Sequence, residues 1–225
     1  MSILFTETTH ALLFAWVTRA VVREAGRERG EQVIHLAVRR YGEQRGRRMA
    51  ARARRDGVEL SMAAFLAYTE YRLVTDLRKQ ELSQSGQDVH TTMLQCPWDQ
   101  TRKQNGLIEY GRLYCREIDH AVLRGFNPAL RLEVNHTLAN DGLPCETTFF
   151  AGAAYPSPQQ SQPFARPWDY HVGHLYASLC AVLKQELGEA GARAAQEWLQ
   201  ELAARFGSEA TRLVSDYLEV DFDAI

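Results

Sequence analysis

The 225-residue chain lacks any hydrophobic run long enough to cross a bilayer. Its longest, Ala11 to Val17, is far short of the roughly 20 apolar residues a spanning helix needs. No basic n-region with a small-residue cleavage site precedes that run, so the expectation is a soluble, cytoplasmic protein. Cysteine is sparse. Four residues without a secretory signal read as free thiols, which makes Asn135-His136-Thr137 a chance glycosylation sequon. CxxC pairs, HExxH, phosphate-cradling glycine motifs and a Gly-x-Ser-x-Gly elbow are all missing. A metal site would therefore have to be assembled by the fold from distant residues, and no cofactor is expected.

What is present is a chain with 45% hydrophobic residues and a net charge of −2, enough to bury one sizeable core as a single domain over 1–225. The near-neutral total hides an asymmetry. Arg27 to Arg55 holds ten arginines against three glutamates, whereas Glu186 onward holds nine acidic residues against three arginines. The two ends of the chain are expected to attract. The basic block has almost no lysine and no interleaved aromatics for base stacking, so it reads as a solvated helix face with Leu36, Tyr41, Met49 and Ala53 buried. Nucleic acid and membrane are not expected as partners. A small-molecule substrate is, and a homo-oligomer is left open.

Thr6 to Arg55 and Ser61 to Leu82 show helical periodicity, with Ser61 an N-cap and Ser83 to Gln87 a breaker. From Val89 to Cys96 side chains alternate as in a strand that ends at Pro97. Helical pattern returns from His171 to Phe206, interrupted near Gly188, with a last helix from Glu209 to Leu218. Glu24 to Gly42 and Glu186 to Gly207 echo each other weakly, which reads as two similar helical hairpins flanking a sheet. The expected fold class is α+β: helices over 5–85, a β layer with an embedded helix over 88–152, a Pro-rich loop over 155–168 and helices over 170–219, with both helical segments packed on a small antiparallel sheet.

Reactive side chains concentrate between Glu109 and Phe150. Cys115 and Asp119 are four apart on a helix and share a face. Leu130, Leu132, Val134, His136 and Leu138 alternate against Arg131, Glu133, Asn135 and Thr137, which points His136 inward with the leucines. A two-residue turn at Asp141-Gly142 would pair Leu138 with Cys145 and His136 with Thr147, bringing thiol and imidazole onto one inward face. A histidine on an apolar face is also commonly a satisfied core residue, and a buried cysteine commonly a small hydrophobe. His171 and His174, three apart near a helix start and followed by Ser178, would line a pocket, a metal site or a helix cap.

The ordered set Cys96-Pro97, Tyr114-Cys115-Arg116-Glu117-Ile118-Asp119, Gly125-Phe126-Asn127-Pro128 and Gly142-Leu143-Pro144-Cys145 resembles the signature of the L-2-amino-thiazoline-4-carboxylic acid hydrolase family. The resemblance implies ring opening of a small cyclic amidine to a carbamoyl amino acid, classed as hydrolysis at a non-peptide carbon–nitrogen bond. On that reading Cys145 is the nucleophile with Cys96 in reserve, Asp119 stabilises the amidinium and moves protons, and His136 is the base. Arg131 or His171 would receive a substrate carboxylate, with Cys115, Asn127 and His174 completing the pocket. A second route needs no covalent step: Asp119 directs water and the thiols shape the pocket. The competing class is a non-catalytic, sensor-type small-molecule-binding domain. The loop from Tyr155 to Trp168, rich in proline, is expected to gate the site.

Overall fold

A computed structural model describes residues 5–152 and 164–224. Thr6 caps the first helix, α1 (Glu7–Ala25), by accepting from the Thr8 backbone N–H while Thr9 returns a bond to the Thr6 N–H. The periodic run from Thr6 to Arg55 is not one helix. Gly26 sits at φ 78°, where a side chain is unwelcome, and the chain turns there into α2 (Arg27–Arg55).

The pattern expected to form a helix from Ser61 to Leu82 forms only α3 (Met62–Ala67), capped by Ser61 as anticipated. Beyond it, tertiary partners take the backbone groups that a helix would have used. Glu7 accepts from the N–H groups of Val74 and Thr75, the Trp168 indole donates to the Arg72 carbonyl, and Arg166 N–H and the His171 ring both reach the Glu70 carbonyl. The chain instead enters β1 (Lys79–Ser85), a strand inside the segment read as helical.

β1 turns at Gly86 into β2 (Asp88–Gln95), and Cys96 then leads into α4 (Pro97–Gln104), with proline in the first turn. After α5 (Ile108–Phe126) come β3 (Leu132–His136) and β4 (Cys145–Phe149). The sheet order is β1-β2-β4-β3, antiparallel throughout. Its inner face presents Val89, Thr91 and Leu132, and Phe65 of α3 ties it to the helices by meeting Phe126 and Phe149 at ring distances of 5.6 and 6.5 Å.

The closest helix pair is α2 with α5. A Cβ on Gly46 would lie 2.1 Å from the Val122 carbonyl oxygen, and one on Gly125 2.2 Å from that of Glu43. The two backbones therefore touch, which sets the α2 residues Tyr41 and Arg45 beside Tyr114 of α5.

The chain closes with α6 (Trp168–Leu187), α7 (Glu189–Phe206), α8 (Ser208–Ser215) and a 3-10 turn at Asp216–Glu219. The two echoing helical hairpins, α1/α2 and α6/α7, pack directly on each other rather than on opposite sides of the sheet. The predicted attraction between the basic block and the acidic end appears as the ion pairs Arg29–Glu186 at 2.8 Å, Arg40–Asp223 at 3.0 Å and Arg47–Asp223; Arg19–Glu201, Arg23–Glu197 and, with the charges reversed, Arg193–Glu24 at 2.8 Å join the same two halves. Exposed pairs of this kind are worth roughly 0–1 kcal/mol each, so they orient the halves more than they hold them. Among the described residues no helix is long and apolar enough to cross a membrane. The expected gating loop falls mostly on residues 153–163, outside the described residues.

Candidate functional site

The expected thiols do gather. Cys96 ends β2, Cys145 opens β4 opposite Met93, and Cys115 projects from α5. Arg102 donates to the Cys115 sulfur at 3.3 Å, and the Leu138 N–H donates to the Cys145 sulfur at 3.2 Å. The three thiols lie within one another's electrostatic reach, with Asp119 acting on Cys115 and Cys145. Desolvation dominates all of them. It pushes Cys96 up to about 11 and Cys145 up to about 12, and raises Cys115 despite the Arg102 charge, so all three are neutral thiols at pH 7. Asp119 is solvent-exposed, yet protein crowds it enough to raise its carboxyl by desolvation, opposed by His120 and Arg45.

His136 does not join them. β3 carries a bulge at Asn135: Val134 pairs with Thr147 but His136 pairs with Glu146. One extra residue reverses the side-chain alternation, so His136 is exposed and Thr137 is buried in its place. The turn is not the expected two residues either. Asp141 accepts from the Thr137 N–H, and Thr137 accepts from the Asn140 and Asp141 N–H groups, giving a wider loop that displaces the anticipated pairs. Arg131 is exposed, pairs with Glu133 and lies over Phe150. Asn127 ties the α5 terminus to the Leu60 carbonyl and to Ala129, a structural task.

His171 and His174 are fully buried, in a second centre that the sequence reading did not anticipate. Glu70, with no exposed surface, sits among Arg52 at 2.8 Å, Arg48 at 3.2 Å and Arg45 at 3.7 Å. Burial works against the Glu70 charge, but Arg48, Arg45 and Arg52 together bring its carboxyl down to about 2. Arg48 also donates to His174 Nδ1 at 3.1 Å, which leaves Nε2–H to donate to Gln44 at 2.9 Å. His171 donates through Nε2 to the Glu70 carbonyl. Desolvation, with Arg45 next, takes His171 down to about 3, and desolvation with Arg48 takes His174 well below its ordinary value. Both are neutral at pH 7. Three guanidinium groups thus face one carboxylate, and Arg45 Nε, Arg48 Nη1 and Arg52 Nε have no hydrogen-bond partner among the described residues. Such a surplus of buried positive donors favours an anion.

An aromatic layer joins the two centres. The Arg45 guanidinium lies 3.9 Å above the Tyr71 ring, and its charge also reaches Tyr41 and Tyr114. The Trp98 indole donates to His10 Nδ1 at 3.1 Å, His10 Nε2 meets the Tyr41 hydroxyl at 3.1 Å, and Tyr41 meets Tyr71 at 2.8 Å. Tyr114 meets Tyr71 at 3.4 Å.

The arginines therefore split rather than forming one solvated face. Arg39 and Arg55 are exposed and Arg40 and Arg47 half-exposed, while Arg45 and Arg48 are buried and Arg52 nearly so; Leu36, expected inside, is 42% exposed. A signal was available. Val38, Tyr41, Arg45, Arg48 and Arg52 follow spacings of three, four, three and four, which is the buried stripe of a helix whatever its polarity. Nothing comparable marked Glu70, Tyr71 or His10, whose neighbours come from distant segments.

Fold and site together define a helix-rich α+β protein in which three thiols gather near a buried cationic centre. The chain belongs to the L-2-amino-thiazoline-4-carboxylic acid hydrolase family, whose profile matches residues 6–149. That span contains the thiols, Asp119, Arg45, Glu70 and the tyrosines, and leaves out His171 and His174. No curated protein and no solved structure matches the chain.

Proposed function

We propose that this protein hydrolyses a small cyclic amidine bearing a carboxylate, 2-amino-thiazoline-4-carboxylate or a near relative, to the carbamoyl amino acid. The observation that carries this is a pair of opposite charges. Asp119, exposed on α5, feels the charge of Arg45, whose guanidinium is undersupplied with acceptors. A zwitterionic substrate needs one anion for its amidinium and one cation for its carboxylate, and this pair offers both. Arg45 takes the role that sequence reading gave to Arg131 or His171.

The raised thiols favour the water-directed route. Asp119, its carboxyl raised by desolvation and so a stronger base when ionised, accepts a proton from water as the oxygen adds to the protonated amidine carbon. We take the product to be the N-carbamoyl amino acid, which keeps both nitrogens on that carbon. In a thiazoline the ring bond that breaks is therefore carbon–sulfur, not the carbon–nitrogen bond expected from the amidine alone. The sulfur departs with a proton, and the net change is addition of one water. Cys96, Cys115 and Cys145 form the neutral wall against which the ring sits.

The test is to incubate catalytic amounts of protein with L-2-amino-thiazoline-4-carboxylate and measure free thiol and ammonia. One thiol per substrate consumed and no ammonia is the expected result. Substrate consumed with neither thiol nor ammonia would put the break at the ring carbon–nitrogen bond, and ammonia without thiol would mean loss of the exocyclic nitrogen with the ring intact. Tight binding without consumption would turn the reading to the non-catalytic, sensor-type domain.

A further inference from the structure

The hydroxyl layer has a direction, and its direction selects one residue. An indole N–H can only donate, so the Trp98 contact makes His10 Nδ1 an acceptor. His10 is held neutral, well below its ordinary value, by burial first, with His171 and the Arg45 and Arg102 cations opposing any positive charge on it. A neutral imidazole accepting at Nδ1 carries its proton on Nε2, which must therefore donate to Tyr41. Tyr41 has one proton and a buried hydroxyl, and having accepted from His10 it donates to Tyr71. Tyr114 is buried too, and its hydroxyl meets that of Tyr71 and no other group among the described residues. If Tyr71 donated to Tyr114, the Tyr114 proton would be stranded in the interior; if Tyr114 donates, every buried proton is satisfied. Tyr71 then accepts from both neighbours. It is also the half-buried member of the three, stacked on Trp168 and lying under Arg45.

We propose that Tyr71 is the proton donor of this site, its hydroxyl hydrogen turned outward beside Arg45 by Tyr41 and Tyr114, with His10 and Trp98 as positioning residues. What Tyr71 protonates rests on the hydrolase reading above. As the carbon–sulfur bond breaks, the electron pair goes to sulfur and the Tyr71 proton follows it. The transient phenolate is held by two O–H donors and the Arg45 cation. The proton that Asp119 took from water then restores Tyr71, the carbamoyl oxygen gives up to solvent the proton that the amidinium brought, and the balance is one water added.

The direction of the relay and the role of Tyr71 are tested separately. Nitrogen-15 imidazole spectra of the intact protein, with His10 assigned by its loss in His10→Gln, are expected to show His10 protonated on Nε2 alone. Protonation on Nδ1 overturns the relay. Tyr71→Phe keeps the ring under Arg45 and removes only the hydroxyl, and kcat is expected to fall about 100-fold or more with KM within about threefold. Turnover within threefold of the parent overturns the donor role. Trp98→Phe is expected to release the His10 tautomer and lower kcat about tenfold in the parent, yet have no further effect when Tyr71 is already Phe. A Trp98→Phe loss of the same size in both backgrounds would mean packing, not positioning, and sink that part. If the parent protein opens no cyclic amidine, the hydrolase reading fails while the tautomer spectrum still decides the relay.

Discussion

Two carboxylates in this protein move in opposite directions, and depth does not explain which way. Glu70 has no exposed surface and is brought down to about 2, whereas Asp119 is reached by solvent and is raised. The difference lies in neighbours. Three guanidinium groups surround Glu70 and outweigh its desolvation; Asp119 has neutral thiols on one side and only the more remote help of His120 and Arg45. One centre therefore holds a permanent anion that organises α2, the segment after α3 and α6. The other holds a carboxyl that burial by its surroundings raises. We assign architecture and anion recognition to the arginine centre, and the taking of a proton from water to Asp119 beside the thiols.

That division can be broken most sharply at Glu70. Glu70→Gln leaves three buried cations without their carboxylate, so a loss of about 3–5 kcal/mol in urea unfolding is expected, enough to threaten folding. A stable Gln variant would mean that the cations find solvent and the centre is not architectural.

Asp119→Asn is the mirror experiment. Turnover is expected to fall about 10²–10⁴-fold while stability stays within about 0.5 kcal/mol, because the side chain is exposed but acts on protons. A variant that melts early but turns over normally would reverse the assignment of the two centres.

Acid should weaken the arginine centre first. His10, His171 and His174 have folded values below the ordinary 6.5, so the unfolded chain binds more protons and stability falls as pH drops below about 6.5, continuing toward about 3 for His171. Glu70 adds to the loss between about 4.5 and about 2, since its depressed carboxyl stabilises only while ionised. A melting temperature that stays flat from pH 7 to 5 would contradict the buried neutral histidines.

Cys145→Ser separates the covalent route from the water-directed one. With the thiol pushed up to about 12, iodoacetamide should label it slowly at pH 7, and turnover of the serine variant should stay within about tenfold of the parent. A loss of several orders of magnitude would restore Cys145 as a covalent nucleophile. The smallest effect is expected for His136→Ala combined with Arg131→Ala, both exposed: turnover within about twofold and stability within about 0.5 kcal/mol, measured together.

Much of the architecture was readable because it depends on short-range periodicity. Ser61 as a cap, the strand ending before Pro97, the interruption at Gly188 and the mutual attraction of the two charged segments all follow from local chemistry. The gathering of Cys96, Cys115, Cys145 and Asp119 was readable only through the family resemblance. His136 was misplaced by a single bulge, since alternation along a strand fixes a side chain's face only while the register is unbroken.

The sequence by itself determined the α+β class, the family and the helix stripe that carries Tyr41, Arg45, Arg48 and Arg52, because each is written in residue order and spacing. The tertiary structure alone decided that those arginines point inward and that Glu70 meets them. It also decided that Trp98, His10, Tyr41, Tyr114 and Tyr71 join into one hydroxyl chain. These partners lie on α1, α2, α4, α5 and the irregular segment after α3. A charged side chain becomes tolerable inside only when all of its partners arrive together, and no local pattern encodes that arrival.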